Sequence, residues 1–217
     1  MRAKAIIYVW LCLLTASFLV GCATKKTEQD VPKISGNIAV ASFYQPEQEW
    51  EILGGYYSVQ DATDIDTKIL KELNEIMAKE LNQHAVDYKL RPGQVRQCRE
   101  YVLYKEDTKS MRSTQFWSKI GDCLSAEYIL IPQIFDWRER KGGEFGVEKP
   151  AKVIFDLILL DVLHKKVIRS FRYEKEQKAL SENILNIFKF FQRKGRWITA
   201  KRLAKEGIVQ GIEELGL

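Results

Sequence analysis

Histidine is scarce in this chain of 217 residues, and the residue types that build catalytic or metal centres do not gather into a motif. His84 and His164 are the only two histidines, and neither has nearby residues at the spacing of a zinc site. No GxSxG motif or P-loop occurs, and no Ser-His-Asp order can be defended. Asp61, Asp64 and Asp66 could bind a cation, but acidic residues are also favoured at the start of a helix. We therefore expect no enzyme, no cofactor and no metal.

The excess of positive charge is also small. The chain has 34 basic and 29 acidic residues, a net charge of +5, which is too little to indicate a nucleic-acid partner. Apolar residues make up 46% of the chain and charged residues 29%. This ordinary globular balance argues against the collagen-like, disordered and multi-span membrane classes.

The hydrophobic run near the amino terminus is short for a membrane-spanning helix. Residues 5–20 form a run of 16 residues in which only Thr15 and Ser17 are polar, whereas a spanning helix needs about 20 apolar residues. Arg2 and Lys4 precede this run. The order of the two segments is typical of an export signal.

The run ends in Leu19-Val20-Gly21-Cys22, which resembles the bacterial lipobox. This resemblance implies that a diacylglycerol is attached to Cys22, whose thiolate is the nucleophile, and that a peptidase then cuts before it. An ordinary signal peptide or a signal anchor with a chance cysteine is the alternative. The next residue is Ala23 and not aspartate, which resembles an outer-membrane sorting signal, so we expect a periplasm-facing outer-membrane lipoprotein. The inner membrane is the less favoured location.

The precursor is expected to have three parts, and cleavage would remove the first. We predict a lipoprotein signal peptide at 1–21, a polar tether at 22–36 and a single domain at 37–217. Removing 21 of the 217 residues leaves 196, and losing two basic residues lowers the net charge from +5 to +3.

Two cysteines would remain after Cys12 leaves with the signal and Cys22 takes the lipid. Cys98 and Cys123 could form a disulfide, because the periplasm permits one. The loop so closed would contribute about 3.5 kcal/mol in the chain-entropy model. Two buried free thiols are the alternative, since spacing alone does not show that the cysteines meet.

Apolar patterning predicts the order β-α-β-α-β-β-β-α-α, a single α/β (or α+β) domain with a mixed sheet of about five strands packed against about four helices. Strands are expected at 37–43, 85–90, 128–137, 151–162 and 166–173, and helices at 64–82, 113–124, 181–193 and 199–215. Loops are expected at 44–63, 91–112 and 138–150. Thr63 is expected to cap the first helix. Pro132 suggests an edge or a bulge in the third strand.

Three segments carry a resemblance to a family of bacterial envelope lipoproteins. They are a strand at 38–43 followed by a long helix, a strand entry at 126–131, and paired strands at 155–162 and 167–171. The family includes the curli-secretion channel lipoprotein, the lipoprotein activators of penicillin-binding proteins and the amino-terminal domain of TolB. The resemblance implies a non-enzymatic envelope role. The pore-forming branch of the family is not expected here, because no loop shows two strands of about 9–11 alternating residues.

The carboxy-terminal part holds most of the positive charge. Residues 169–205 contain 11 basic and 3 acidic residues, an excess of +8 that leaves −5 for the rest of the processed chain. The basic helix expected at 181–193 would suit an anionic membrane, at about 1 kcal/mol per basic residue, or an acidic partner. An aromatic core face with a solvated basic face is the alternative. The residues proposed for membrane or partner contact are Lys189, Arg193, Lys194, Arg196 and Trp197.

These observations support three hypotheses for the function. The first is a lipid-anchored envelope protein that binds another protein or a cell-wall component. The second is an accessory subunit of an envelope transport or assembly machine, and the third is a cell-wall enzyme. The expected partners are the membrane, through the lipid, and an envelope protein or cell-wall polymer, with a homo-oligomer possible and no nucleic acid.

Replacing the proposed lipid-bearing residue tests the anchor. We expect the wild type to incorporate labelled palmitate, and Cys22→Ser to lose both the label and the normal processing. Metabolic labelling followed by gel analysis measures both. A Cys22→Ser protein that is still labelled and processed normally would show that the anchor assignment is wrong.

Overall fold

Two long apolar segments form the centre of the sheet. The computed structural model describes residues 32–55, 57–84, 88–89, 92–107, 111–143, 147–176 and 198–217. The strands in this part are β1 (Ile38–Val40), β2 (Tyr88–Lys89), β3 (Tyr128–Arg138), β4 (Lys141–Gly142), β5 (Val147–Lys149), β6 (Lys152–Asp161) and β7 (Lys166–Glu176). Strands β3 and β6 are buried along most of their length, as expected of apolar runs covered on both faces.

The strand order in the main sheet is β2-β1-β3-β6-β7. Strand β1 runs parallel to β2 and β3, and the pairs β3–β6 and β6–β7 are antiparallel. Strands β4 and β5 form a separate two-stranded ribbon. The helices in the described part are α1 (Thr67–Gln83), α2 (Pro92–Lys105), α3 (Ser113–Cys123) and α4 (Ala200–Leu215). The α/β class and the mixed sheet of five strands are confirmed.

Helices α1 and α4 cover one face of the sheet. Leu73 of α1 and Ile208 of α4 lie in one apolar cluster with Phe155 of β6. Helix α4 approaches the strands closely because its contact face carries glycines. A Cβ atom on Gly207 would lie 2.5 Å from the Tyr173 ring, and one on Gly211 would lie 2.6 Å from side-chain atoms of Leu157 and Phe171.

Helices α2 and α3 cover the other face, and α2 corrects the expected loop at 91–112. Among the described side chains of α2, Val95, Cys98 and Val102 are the buried ones, so the helix has a narrow buried stripe. That stripe is too sparse for a helix to be recognised from periodicity. A disulfide joins Cys98 to Cys123 of α3 with their Cα atoms 5.9 Å apart. The predicted disulfide is therefore present in the structure.

Three local expectations also need correction. Asp66, and not Thr63, caps α1, and its side chain accepts a hydrogen bond from Lys68 N at 2.8 Å. The expected loop at 138–150 contains the ribbon of β4 and β5. Pro132 lies in an interior strand, so the edge alternative is wrong, whereas the bulge alternative is confirmed by a register shift between Ile134 and Asp136 of the same strand.

The position of Pro132 has a local explanation. Strand β1 ends at Val40, which pairs with Leu130, so Pro132 lies where β3 has just lost this neighbour. The chain beyond β1 meets β3 again at Tyr44, whose N–H donates to Pro132 O at 3.3 Å. The N–H that proline lacks is therefore not needed for pairing with β1.

Some expectations fall on residues outside the described part. They are the signal peptide at 1–21, Cys22 and most of the tether, the helix at 181–193, and the contact set Lys189, Arg193, Lys194, Arg196 and Trp197. These expectations stay predictions.

The glycine contact between α4 and the sheet predicts a loss of stability. We expect Gly211→Ala to lower the free energy of unfolding by about 1–3 kcal/mol, because its methyl group would overlap Leu157 and Phe171 in a packed core. Gly93→Ala is the matched control, since a Cβ atom there meets nothing within 4 Å. Urea unfolding measures both variants. Equal stability of Gly211→Ala and the wild type would contradict the close approach.

Candidate binding crevice

A crevice opens at the carboxyl end of β1, where the topology of the sheet changes direction. After β1 the chain passes through α1 to β2 on one side, and then through α2 and α3 to β3 on the other side. Such switch points in α/β sheets leave a gap beyond the strand ends, and ligands commonly bind there. The crevice has a volume of about 270 Å³ and is lined by Ala41, Ser42, Tyr44, Gly93, Val95, Arg96, Arg99 and Trp117.

The crevice has an apolar floor and a basic rim. Ala41, Val95 and Trp117 are buried, and they come from the end of β1, from α2 and from α3. Arg96 is exposed and Arg99 is half-buried, one helical turn apart along α2. An apolar surface with a few charged groups at its edge is the usual character of a small binding site.

Arg99 is held by a buried acid. Its Nη2 atom lies 3.1 Å from Oε1 of Glu51, which is 5% exposed. The other carboxylate oxygen, Oε2, accepts hydrogen bonds from the backbone N–H groups of Glu47 at 2.7 Å and Gln48 at 3.2 Å. A buried carboxylate needs such partners, because an unpaired charge away from water is costly. This pairing fixes the position of the Arg99 guanidinium at the crevice.

Gln133 connects the crevice to the centre of the sheet. Its Nε2 atom donates to the Tyr44 hydroxyl and to the Glu51 carbonyl, the latter at 2.7 Å. Its Oε1 atom accepts from Leu53 N at 3.0 Å. Burial raises the pKa of Tyr44, so this phenol stays neutral, and the Arg99 guanidinium lies 5.9 Å from the centre of its ring. The side-chain amide of Gln133 therefore holds the segment after β1 against β3.

A second buried acid supports the same segment further along the sheet. Asp156 is 3% exposed and lies opposite Gln133 on β6. Its Oδ1 atom is 3.3 Å from Nη1 of Arg172 on β7. Burial raises the pKa of Asp156 from 3.8 to about 6, although Arg172 opposes the rise. Gly54 lies directly above, since a Cβ atom there would be 2.4 Å from Asp156 Oδ2.

A third acid ties the end of the segment to the sheet. Asp136 of β3 is buried and lies 2.5 Å from Lys152 Nζ. Its Oδ1 atom accepts a hydrogen bond from the Thr63 hydroxyl at 3.1 Å. Thr63 thus anchors the loop before α1, although it does not cap that helix. Gln133, Asp136 and Asp156 were missed as site residues, although polar residues inside apolar strands were a usable signal.

The acids and histidines named from the sequence do not come together. Asp66 caps α1, Asp64 is exposed, and the side chain of Asp61 lies outside the description.

The two histidines lie apart from each other. His84 follows the last residue of α1, with its Nε2 atom 3.9 Å from Glu213 Oε1, and His164 lies at the β6–β7 turn against Asp161. No group of three potential metal ligands occurs among the described residues.

Part of the basic carboxy-terminal segment has partners inside the domain. Arg169 Nη1 donates to the carbonyl of Leu215 at 2.6 Å, and Arg172 pairs with Asp156. Two ion pairs then join α4 to α1, Lys201 with Glu72 at 3.1 Å and Lys205 with Glu80 at 3.1 Å. Arg172, Lys201 and Lys205 therefore each pair with an acidic residue elsewhere in the domain.

No protein-family model and no curated protein matches the chain. A solved PelC dodecamer from Paraburkholderia phytofirmans has 15% identity, covers 85% of this chain and 93% of its own, and has a TM-score of 0.46. Hypothetical protein CT253 from Chlamydia trachomatis has 14% identity and a TM-score of 0.39, and the match covers 83% of this chain and 98% of CT253. Lipoprotein GNA1162 from Neisseria meningitidis has 10% identity and a TM-score of 0.39, and the match covers 74% of this chain and 94% of GNA1162.

These TM-scores lie below 0.5, so the likenesses carry no argument about function or assembly. The resemblance to a particular envelope-lipoprotein family stays a prediction. Among the described residues, no helix combines the length and the apolar character needed to cross a membrane.

The raised pKa of Asp156 predicts a pH-dependent stability. Because the pKa is higher in the folded state than in the unfolded state, the free energy of unfolding falls as pH rises from about 4 through about 6. The fall from this group is at most about 3 kcal/mol. We expect Asp156→Asn to remove this fall in the free energy of unfolding, while Arg172 stays charged over the whole pH range tested. Denaturant unfolding at pH 4.5 and 7.5 measures the difference, and an identical pH dependence in both proteins would contradict the prediction.

Proposed function

We propose that this chain is a lipid-anchored, periplasm-facing envelope protein that acts by binding an envelope partner at its crevice, and not by catalysis. The observation that carries the proposal is the crevice itself, with its buried floor and its two arginines at the switch point of the sheet. Pre-formed sites of this kind bind a group without rearrangement of the backbone. The partner is an envelope protein or a cell-wall component.

The anchor is the second part of the proposal. A lipid on Cys22, followed by the polar tether at 22–36, would hold the domain near the membrane. Several acyl chains give firm attachment, since each buried CH₂ adds about 0.8 kcal/mol. The outer membrane is the favoured location because Ala23 follows the cysteine, and the inner membrane is the alternative.

A second candidate function is an accessory subunit of an envelope transport or assembly machine. It is favoured by the outer face of α2, where Tyr101, Leu103 and Tyr104 are 53%, 38% and 92% exposed. Aromatic residues are enriched at protein interfaces. A helix with one face on the crevice and another exposing aromatic rings suits a protein that contacts two neighbours, including a second copy of itself.

Photocrosslinking in intact cells tests the proposed binding function. We expect a photoreactive amino acid placed at Arg96, on the rim, to form a discrete covalent adduct with one envelope component. Full-length, lipidated protein is used, and mass spectrometry identifies the adduct as a protein or a cell-wall fragment.

The same amino acid at Lys79 is the matched control. Lys79 is an exposed basic residue on α1, which covers the opposite face of the sheet. We expect no adduct of the same mass from this position. The proposal fails if position 96 gives no adduct, or only adducts that position 79 also gives.

A further inference from the structure

The rim of the crevice carries one positive charge, on Arg96, that no ion pair within the described residues neutralises. Arg99 shares its charge with Glu51 at 3.1 Å. Arg96 is exposed, and no acidic residue in the described part of the chain forms an ion pair with it. Counting Arg96, Arg99 and Glu51, the crevice has a net charge of +1. This charge matches a singly charged anion better than a dianion such as a phosphate monoester.

The geometry of the two arginines also favours a planar anion. A guanidinium group presents its N–H donors in one plane and matches both oxygens of a carboxylate. Glu51 already occupies one side of Arg99, whose Nε atom is buried without a hydrogen-bond partner among the described residues. A carboxylate between Arg96 and Arg99 would add acceptors to a rim that is rich in donors.

The floor of the crevice would contact an apolar group next to such a carboxylate. Val95 and Trp117 are 5% and 3% exposed, and with Ala41 they leave apolar surface beneath the arginines. The volume of about 270 Å³ lies just under the range of roughly 300–1,000 Å³ found for drug-sized ligands. This space suits one apolar side chain and an adjoining carboxylate.

We propose that the crevice binds the free carboxyl end of a peptide, with the carboxylate on Arg96 and Arg99 and the last apolar side chain on the floor. This inference rests on the proposed binding function and names its ligand chemistry. Two sources in the envelope offer that chemistry. One is the carboxyl terminus of a protein, which ends in an L-residue, and the other is a cell-wall stem peptide, which ends in D-alanine.

Peptide binding to the full-length protein in detergent micelles tests the inference. The dye-labelled probes are a hexapeptide ending in L-leucine and a pentapeptide ending in D-alanyl-D-alanine, each with a free carboxylate or with an amidated end. We expect at least one free peptide to bind about tenfold more tightly than its amide in fluorescence anisotropy. The pair that shows the larger ratio identifies the source.

Variants on two faces of the domain separate the rim from general charge effects. We expect Arg96→Gln to remove the difference between free and amidated peptides while the unfolding midpoint stays unchanged, since Arg96 is exposed. Arg202→Gln is the matched control, because Arg202 is an exposed arginine on α4. It should keep the full difference.

Two results would overturn the inference. They are equal binding of the free and amidated peptides by the wild type, and a carboxylate preference that survives in Arg96→Gln. If a specific adduct still forms from position 96 in cells, either result leaves the proposed binding function standing. If the wild type prefers the free carboxylate but position 96 gives no specific adduct in cells, the proposed envelope partner is wrong and the proposed ligand chemistry of the crevice stands.

Discussion

The side-chain amide of Gln133 holds together the end of the fold that carries the crevice. It lies at the centre of an apolar sheet, and its three hydrogen bonds reach Tyr44, the Glu51 carbonyl and Leu53 N. Each of these groups belongs to the long segment that follows β1. Because a buried amide that loses its partners costs about 1–3 kcal/mol, the segment has one favourable position on the sheet. The wall of the crevice and the placement of Glu51 both depend on that position.

The two faces of the sheet are stabilised in different ways. The face under α1 and α4 is an apolar core in which Gly207 and Gly211 allow close helix packing, and two ion pairs join the helices at their edge. The face under α2 and α3 has an apolar part and a polar part. Its polar part contains Gln133 and Asp156 beneath an irregular segment. The crevice on this second face lies where the segment after β1 meets α2 and α3.

Much of the fold could be predicted from the sequence. The long strands and α1, α3 and α4 were located within a few residues, because each has many apolar residues at a regular period. Helix α2 was missed because its stripe of Val95, Cys98 and Val102 is only three residues long. The crevice was missed for a related reason. Its lining is drawn from three separate segments of the chain, and none of them forms a motif by itself.

The sequence alone determined the α/β class, and it predicted an anchor at Cys22 and a possible pairing of Cys98 with Cys123. Local pattern is enough for the class and for the anchor prediction, since a signal or a period is complete within one segment, whereas the meeting of the two cysteines needed the structure. Only the tertiary structure decided that Glu51 meets Arg99, 48 residues away, and that Tyr44 meets Gln133, 89 residues away. The order of the strands brings these residues together, and burial then requires each polar group to find a partner.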